Sequence, residues 1–121
     1  RDFLYFEDVV DLYIKIADSL SKDSGVLLGQ IFNAGSNCPK TVKQILEKIF
    51  TVVGNPEKYR VILKEMENKK TIGGIDCQFM DFEKVENNFS WRPQTSLDDG
   101  IKKSIEWYKR YFKSRNFVNK H

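Results

Sequence analysis

The stretch MDFEKVENNFSWRPQTSLDDGIKKSIEWYK, residues 80–109, encodes two helices with a break between them. A short helix is predicted after Asp81, because aspartate is among the preferred N-cap residues. The apolar residues expected to face inward from it are Phe82, Val85 and Phe89. Pro93 prevents this helix from continuing, because proline lacks the backbone N–H that a helix interior requires.

A longer helix is predicted to begin at Ser96, where Asp99 supplies the second half of a capping box. Its apolar residues recur at intervals of three and four, which is the spacing of one helix face. The residues expected on the buried face are Ile101, Ile105, Tyr108 and Phe112. Asp98 and Asp99 are adjacent carboxylates, and their position at a helix start identifies them as capping residues rather than as a catalytic pair.

Two further helices are predicted upstream of this stretch. One covers about Glu7 to Leu20, where the apolar residues follow helical periodicity. The other follows a capping box formed by Thr41 and Gln44, and it ends before Gly54.

Short strands are predicted in the connections, each bounded by glycine, proline or charged residues. They are Phe3–Phe6, Gln30–Asn33, Tyr59–Leu63 and Cys77–Met80. Residues 64–75 are polar and predict a loop. With 121 residues, the chain suits one small α/β domain of about four helices with short strands.

The composition is that of a folded domain, with 40% hydrophobic and 31% charged residues and a net charge of +3. No apolar run approaches the roughly 20 residues that a membrane span needs. Cys38 and Cys77 are too few for a disulfide framework or a zinc site, so we expect reduced thiols in the cytoplasm. The basic residues near the carboxy-terminal end form no recognisable nucleic-acid motif. Since the chain opens with Arg1, we expect part of a longer protein or a processed product.

The sequence lacks several motifs that dinucleotide-dependent catalysis needs. It contains no GxGxxG or GxxGxxG turn for a dinucleotide and no GxxxxGK[ST] phosphate loop. None of its five tyrosines is followed four residues later by a lysine, so a Tyr-Lys proton-transfer pair is absent. The one histidine, His121, is the last residue. We therefore expect no catalysis by this chain alone, and no metal or cofactor bound to it.

Three stretches of the chain match one family in their order and spacing. They are RDFLYFEDVVDLY at residues 1–13, IFNAGS at residues 31–36 with the helix TVKQILEKI that follows it, and residues 80–109. Together they resemble the carboxy-terminal half of extended short-chain dehydrogenases/reductases, the family of nucleotide-sugar epimerases and dehydratases. Within the family, the last stretch is similar to dehydratases acting on CDP-sugars or GDP-sugars, such as CDP-glucose or GDP-mannose 4,6-dehydratases.

The resemblance implies that two domains have different roles, one in binding the cofactor and one in binding the substrate. In the family, an amino-terminal Rossmann domain holds NAD or NADP and the catalytic Tyr and Lys. The smaller carboxy-terminal domain grips the nucleotide and the diphosphate of the sugar donor, and a 4-keto intermediate forms where the sugar reaches the nicotinamide. By this resemblance, residues 1–121 are the substrate-binding domain, the NAD-binding domain is absent from the chain, and the chain alone is inactive.

The resemblance also assigns two substrate-binding residues. Arg1 matches the arginine of the RDF motif, which commonly contacts the diphosphate, and a guanidinium can bind two phosphate oxygens at once. The alternative is an exposed arginine without a role. Asn33 matches the asparagine of the FNxGS motif near the nucleotide site. The alternative there is an amide that bonds the backbone of its own turn, as turn asparagines usually do.

A second phosphate contact is assigned to a lysine. The family often carries an arginine shortly before the Asp of the MDFEK segment, whereas this chain has Lys69, Lys70 and Thr71 in that region. Lys70 is the candidate for the contact, although an ammonium is a point charge without bidentate geometry. The alternative is a lysine of a solvated loop.

Other residues of the matching stretches are predicted to be structural. Trp91 is expected to be a packing anchor, because aromatic side chains contribute large buried surfaces. Trp107 and Tyr108 are predicted to be core or lid residues, and Asp8 and Asp81 are predicted to cap helices.

Two hypotheses about function follow. Under the first, the partners are a nucleotide-diphosphate sugar and the missing Rossmann domain, and neither a membrane nor nucleic acid is expected. A bare apolar surface near Phe3–Phe6 and the first helix would then favour self-association. The second hypothesis is a non-enzymatic, basic α/β interaction module that binds protein or nucleic acid. Steeply salt-dependent binding to RNA or DNA would favour the second.

Overall fold

The computed structural model describes residues 1–22, 25, 27–67 and 77–118, with backbone only for residues 116–118. Its helices are α1 (Phe6–Lys22), α2 (Val42–Val53), α3 (Pro56–Glu67), α4 (Glu83–Phe89) and α5 (Leu97–Val118). The chain forms two compact units: unit 1 comprises Arg1–Lys40 and Ile75–Ser96, and unit 2 comprises Thr41–Gly74 and Leu97–His121. Within the described residues, none of the helices combines the length and the apolarity needed to cross a bilayer.

The four predicted helices are confirmed, but the predicted strand Tyr59–Leu63 was wrong, because it is part of α3. The signals that start α3 are local. Asn55 Oδ1 accepts a hydrogen bond from the Lys58 amide at 3.1 Å, and Pro56 takes the first helical position. The half-buried residues of α3 then recur at helical spacing: Tyr59, Ile62 and Leu63. A run containing Tyr, Val, Ile and Leu is also typical of a short strand, so the start signals at Asn55 and Pro56 are needed to identify the helix.

The other three predicted strands were also wrong. They are Phe3–Phe6, Gln30–Asn33 and Cys77–Met80, and no β strand occurs among the residues that the structure describes. A strand requires a neighbouring strand to satisfy its backbone groups. Here such groups bond within turns, as in the Asp8 amide with the Tyr5 carbonyl and the Gln30 amide with the Leu27 carbonyl, each at 3.1 Å.

Unit 1 is built around four buried apolar side chains from α1, from α4 and from the segment after α4. They are Leu12, Val85, Phe89 and Trp91. Trp91 is 1% exposed and donates its indole N–H to the Asp8 carbonyl at 3.0 Å. Its ring meets that of Phe82 edge-on, with 6.1 Å between the ring centroids. The prediction of Trp91 as a packing anchor is therefore confirmed.

The carboxylate of Asp8 bonds Thr95, in the segment that follows α4. It is buried in the first turn of α1 and accepts hydrogen bonds from the amide and the hydroxyl of Thr95, each at 3.1 Å. The prediction of a local capping role for Asp8 was wrong, because Thr95 lies 87 positions away in the sequence. Asp81 does act locally, since its Oδ1 accepts from the Glu83 amide at 2.9 Å at the start of α4.

Unit 2 consists of α2 packed against α3 and α5. The predicted caps of α2 are confirmed: Thr41 and Gln44 make both bonds of a capping box, and Gly54 ends the helix in the left-handed conformation with φ 75°. Lys48 of α2 pairs with Asp98 at the start of α5, with 2.5 Å between the charged atoms. Local caps and contacts along α2 therefore hold this unit together.

The buried face predicted for α5 is correct only in its first half. Ile101 and Ile105 are half-buried, whereas Tyr108 and Phe112 are 54% and 56% exposed. Trp107 was predicted to be a core or lid residue; it is exposed as well, so the core alternative was wrong and the lid alternative stays a prediction. Since α5 has 22 residues and α2 has 12, α5 is longer by about 15 Å at the rise of an α-helix. The apolar face of α5 is therefore longer than α2, so α2 cannot cover all of it.

Candidate functional site

The carboxylate of Asp2 joins two distant segments of unit 1. Both of its oxygens accept from the Ser36 amide at 3.0 Å, and one also accepts from the Met80 amide at 3.1 Å. The Ser36 hydroxyl donates to the same carboxylate. Burial alone would raise the pKa of Asp2, but the hydrogen bonds from the Ser36 hydroxyl and from backbone amides hold that pKa below its usual value. Asp2 is therefore a fixed anion that ties the chain start to residues 36 and 80.

Gly35 makes this junction possible. It is buried, and a Cβ atom at this position would lie 2.3 Å from an Asp2 carboxylate oxygen. The same atom would lie 2.7 Å from both the Cβ and the carbonyl oxygen of Met80. Only glycine lets the turn at residues 34–36 approach Asp2 so closely.

Arg1 is held by its backbone at the edge of this junction. The Arg1 nitrogen donates to the Lys40 carbonyl at 2.8 Å, and the Lys40 amide donates to the Arg1 carbonyl at 2.8 Å. Arg1 is exposed and Lys40 is half-buried. The structure thus places the predicted phosphate ligand on a constrained piece of backbone.

Asn33 lies next to the same junction, directly before the turn at residues 34–36. It is exposed, and its side chain makes no hydrogen bond within the described part of the chain. The turn amides are instead occupied by Asp2, through Ser36, and by the Ser36 hydroxyl, which accepts from the Cys38 amide at 3.2 Å. The alternative role of Asn33, a bond to its own turn, is therefore not observed among these residues.

The third predicted site residue, Lys70, lies outside the described residues, as do Lys69 and Thr71. The structure therefore brings Arg1 and the turn of Asn33 to one junction and does not place Lys70.

An open cavity of 440 Å³ in unit 1 does not include the predicted ligands. Its lining residues are Asn37, Phe79, Asp81, Phe82, Glu83 and Glu86. Three of these are carboxylates, and like charge would repel a diphosphate. Neither Arg1 nor Asn33 contributes to the lining, so a sugar nucleotide has no reason to prefer this cavity.

Sequence reasoning missed three residues of the junction: Asp2, Ser36 and Lys40. Asp2 and Ser36 stand in quoted motifs, but nothing local in the sequence pairs residues 34 positions apart. Among the described residues, no cluster of His, Cys, Asp or Glu could hold a metal ion, and Cys38 and Cys77 are free and exposed.

The apolar surface predicted near the chain start is present. Phe6, Tyr13 and Ile14 of the α1 segment are each more than 60% exposed, and Phe3 and Val10 are exposed beside them. Exposed apolar surfaces of this kind mark contact sites for other protein surfaces.

No protein-family model matches the chain. Human dTDP-D-glucose 4,6-dehydratase is 28% identical to it over 121 residues, which cover 99% of this chain and 33% of the human protein. UDP-glucuronate 4-epimerase 1 of Arabidopsis thaliana is 30% identical over 122 residues, which cover 93% of this chain and 27% of the epimerase.

A solved structure shows the same fold. The chain resembles the crystal structure of dTDP-glucose 4,6-dehydratase from Bacillus anthracis in complex with NAD, with a TM-score of 0.63 and 25% identity over 91% of this chain and 31% of that one. The chain spans about a third of the length of these relatives. The predicted resemblance and the fold that it implies are confirmed. None of the three acts, by name, on a CDP-sugar or a GDP-sugar, so that finer resemblance stays a prediction.

Proposed function

Because the chain belongs to the extended short-chain dehydrogenase/reductase family, among its nucleotide-sugar dehydratases and epimerases, we propose that it binds the nucleotide diphosphate of a sugar donor. In this proposal it is the carboxy-terminal domain of an NAD- or NADP-dependent enzyme. The amino-terminal domain supplies the cofactor and the catalytic Tyr and Lys. The chain alone binds substrate weakly and does not catalyse.

One observation carries this proposal: the Asp2 junction brings the two motifs with assigned ligands together. Arg1 precedes Asp2, and Asn33 precedes the turn whose Ser36 amide Asp2 holds at 3.0 Å. A guanidinium binds phosphate oxygens in pairs, and a free amide can both donate and accept toward a nucleotide. The backbone hydrogen bonds at Arg1 and at Ser36 support this proposal, because they fix the main chain beside both residues in the absence of a ligand.

The chain's own residues bind and orient, and they transfer no proton or hydride. NAD or NADP, when bound in the remainder of the enzyme, supplies a hydride acceptor for oxidation of the sugar. We assign no residue of this chain to that cofactor, because the sequence contains neither the glycine-rich turn nor the Tyr-Lys pair. The exposed face of α1 with Phe6, Tyr13 and Ile14 is the surface that we propose the cofactor domain covers.

A titration of the ¹⁵N-labelled chain with dTDP-, UDP-, CDP- and GDP-sugars tests the proposal. We expect the Arg1 Nε–H and the Asn33 side-chain amide resonances to shift, with dissociation constants of about 1 mM because half of the cleft is missing. The matched controls are Arg60, which pairs with Glu57, and Asn88, which bonds the Lys84 carbonyl. Their resonances should stay in place.

Two outcomes would contradict the proposal. If no nucleotide sugar shifts Arg1 or Asn33, the chain does not bind the diphosphate as proposed. If RNA or DNA binds with a steep dependence on salt while sugar nucleotides do not, the interaction-module hypothesis is the better one. A separate assay should detect no 4-keto product when the chain is incubated with NAD and these donors.

A further inference from the structure

Lys84 of α4 contacts three consecutive residues, the last three before Asn33. Its ammonium donates to the Gln30 side-chain oxygen and to the Ile31 carbonyl, each at 2.9 Å. The same ammonium lies over the Phe32 ring, 4.7 Å from its centroid, which is within the range of a cation–π interaction. The two hydrogen bonds join residues 54 and 53 positions apart, so they tie α4 to a distant segment of unit 1.

The charge of Lys84 is used for this segment and not for an ion pair. None of the ion pairs among the described residues includes Lys84, and both of its oxygen partners are neutral. Hydrogen bonds from a charged donor are roughly twice as strong as those between neutral groups. Two such bonds to adjacent residues restrict both the position and the direction of the chain before Asn33.

The core of unit 1 holds the same segment. Phe32 is half-buried, and its ring meets that of the buried Phe89 edge-on, with 5.0 Å between the ring centroids. Ala34 also packs against the core, whereas Asn33 is exposed between these two residues. Because both of its neighbours pack inward, the Asn33 side chain is directed outward, and its direction depends on how firmly Phe32 is held.

Asn33 therefore lies between two fixed points. On the carboxy-terminal side, the Asp2 carboxylate accepts from the Ser36 amide at 3.0 Å. On the amino-terminal side, Lys84 binds residues 30–32. A ligand group on a segment that is fixed at both ends loses less conformational freedom when it binds, so less of the binding energy is lost to ordering.

We infer that Lys84 is a positioning residue for substrate binding, which acts on the nucleotide through Asn33. This inference rests on the proposed function, in which Asn33 binds the nucleotide. An ammonium has three N–H donors, and two of those of Lys84 are given to protein oxygens while its charge lies over the Phe32 ring. Its effect on the ligand is therefore indirect.

A double-mutant cycle tests this role, in titrations with UDP and dTDP. We expect Lys84→Met to raise the dissociation constants about fivefold, because methionine keeps an unbranched side chain but has no donor. In the Asn33→Ala background, the same substitution should change them by less than about 1.5-fold, since its effect passes through Asn33. Lys84→Arg should bind within about twofold of the wild type, because a guanidinium keeps donors and a cation for the Phe32 ring.

Lys22→Met is the matched control. It removes the same charge from an exposed position at the end of α1 in the same unit, where Lys22 pairs with Asp18 at 3.4 Å. We expect it to change the dissociation constants by less than about 1.5-fold, as is usual for an exposed pair. In the ligand-free chain, the ¹⁵N order parameters of the Asn33 backbone and side-chain amides should fall in Lys84→Met and stay unchanged in Lys22→Met.

The outcomes separate this inference from the proposed function. If Asn33→Ala weakens binding while Lys84→Met has no larger effect than Lys22→Met, the role of Lys84 is overturned and the proposed function stands. An equal loss for Lys84→Met with and without the Asn33 side chain also overturns it, because Lys84 would then act on the ligand independently of Asn33. If the wild-type chain binds neither nucleotide at about 10 mM, both the inference and the proposed function fail.

Discussion

The two units of the chain are held together in different ways. Unit 1 contains all four buried apolar side chains of the described core, and the hydrogen bonds to its Asp2 and Asp8 carboxylates join residues 34 to 87 positions apart. In unit 2, the helices pack along α2, and their caps bond residues within one or two turns. The ion pair between Lys48 and Asp98, which lie 50 positions apart in the sequence, is exposed.

This difference shows where single residues matter most. A buried side chain in a small core has many contacts that no other residue can replace, so its removal destabilises the whole unit. A helix cap or an exposed ion pair contributes less, and its neighbours compensate for part of the loss. The predicted ligands Arg1 and Asn33 lie in unit 1, so the site should depend on the first kind of interaction.

The largest expected effect is that of Trp91→Ala. The side chain is 1% exposed and donates to the Asp8 carbonyl at 3.0 Å, so its removal leaves a cavity and an unpaired acceptor. We expect the free energy of opening in α1 and α4 to fall by about 3–5 kcal/mol, measured by hydrogen exchange of their amides.

The matched control is Trp107→Ala in unit 2. Trp107 is 51% exposed, and the aromatic contacts that the described residues give it, stacked on Tyr111 and edge-on to Tyr108, lie within its own helix. We therefore expect a change within about 0.5 kcal/mol. Equal losses for the two tryptophans would contradict the contrast between the units.

Gly35→Ala should have the next largest effect. The new methyl group would lie 2.3 Å from the Asp2 carboxylate and 2.7 Å from the Met80 carbonyl oxygen, and a backbone atom cannot rotate away. We expect a loss of about 1–3 kcal/mol in unfolding by urea, as for an overpacked core.

Gly54→Ala gives the corresponding measurement in unit 2. Its Cβ would meet nothing within 4 Å, and only its φ of +75° disfavours alanine. The expected loss is about 1 kcal/mol. A larger loss at Gly54 than at Gly35 would show that backbone conformation outweighs the close contact at Asp2.

A smaller effect is expected for Thr41→Ala, which removes the capping box of α2. The loss should be about 1 kcal/mol by urea unfolding, because the Gln44 amide loses its acceptor. Thr51→Ala is the control in the same helix. Its hydroxyl bonds the Glu47 carbonyl at 2.8 Å within the helix, so alanine should be neutral or slightly stabilising. A loss at Thr51 equal to that at Thr41 would argue against the cap.

The same contrast explains which features the sequence predicts. Thr41, Gln44 and Gly54 identify the ends of α2 because every partner lies within a few positions. Asn55 and Pro56 are an equally local signal for α3, and a search for helix starts would have found them.

The junction of the candidate site could not be predicted in this way. The partners of Asp2 and Asp8 lie 34, 78 and 87 positions away, so only the tertiary structure pairs them. The exposure of Tyr108 and Phe112 could not be predicted for a related reason. Periodicity identifies the apolar face of a helix, but it does not show how much of that face another helix covers. Residue identities therefore predict the motifs, and the fold alone reveals how the site is held.

The smallest expected effect separates two aspartates whose pKa values are both lowered. The Lys48 hydrogen bond lowers the pKa of Asp98, with further lowering by the charges of Lys48 and Lys102, whereas amide and hydroxyl donors hold that of Asp2 down against burial. In both cases the folded pKa lies below the unfolded one of roughly 3.9, so the stabilisation is present above that pH. It is lost as the pH falls through the folded pKa.

Salt should distinguish these two contributions. Between about pH 5 and pH 2, the free energy of unfolding should decrease less in Asp98→Asn than in the wild type. We expect this difference only at low ionic strength, because about 1 M salt screens an exposed ion pair. Asp2→Asn should show the same difference at both ionic strengths, since its donors are neutral groups that salt screens little. Urea unfolding of the wild type and the two variants across this pH range is the measurement. If salt abolishes the effect of Asp2→Asn as well, that carboxylate acts through exposed charge, and the junction that positions Arg1 and Asn33 is weaker than its geometry indicates.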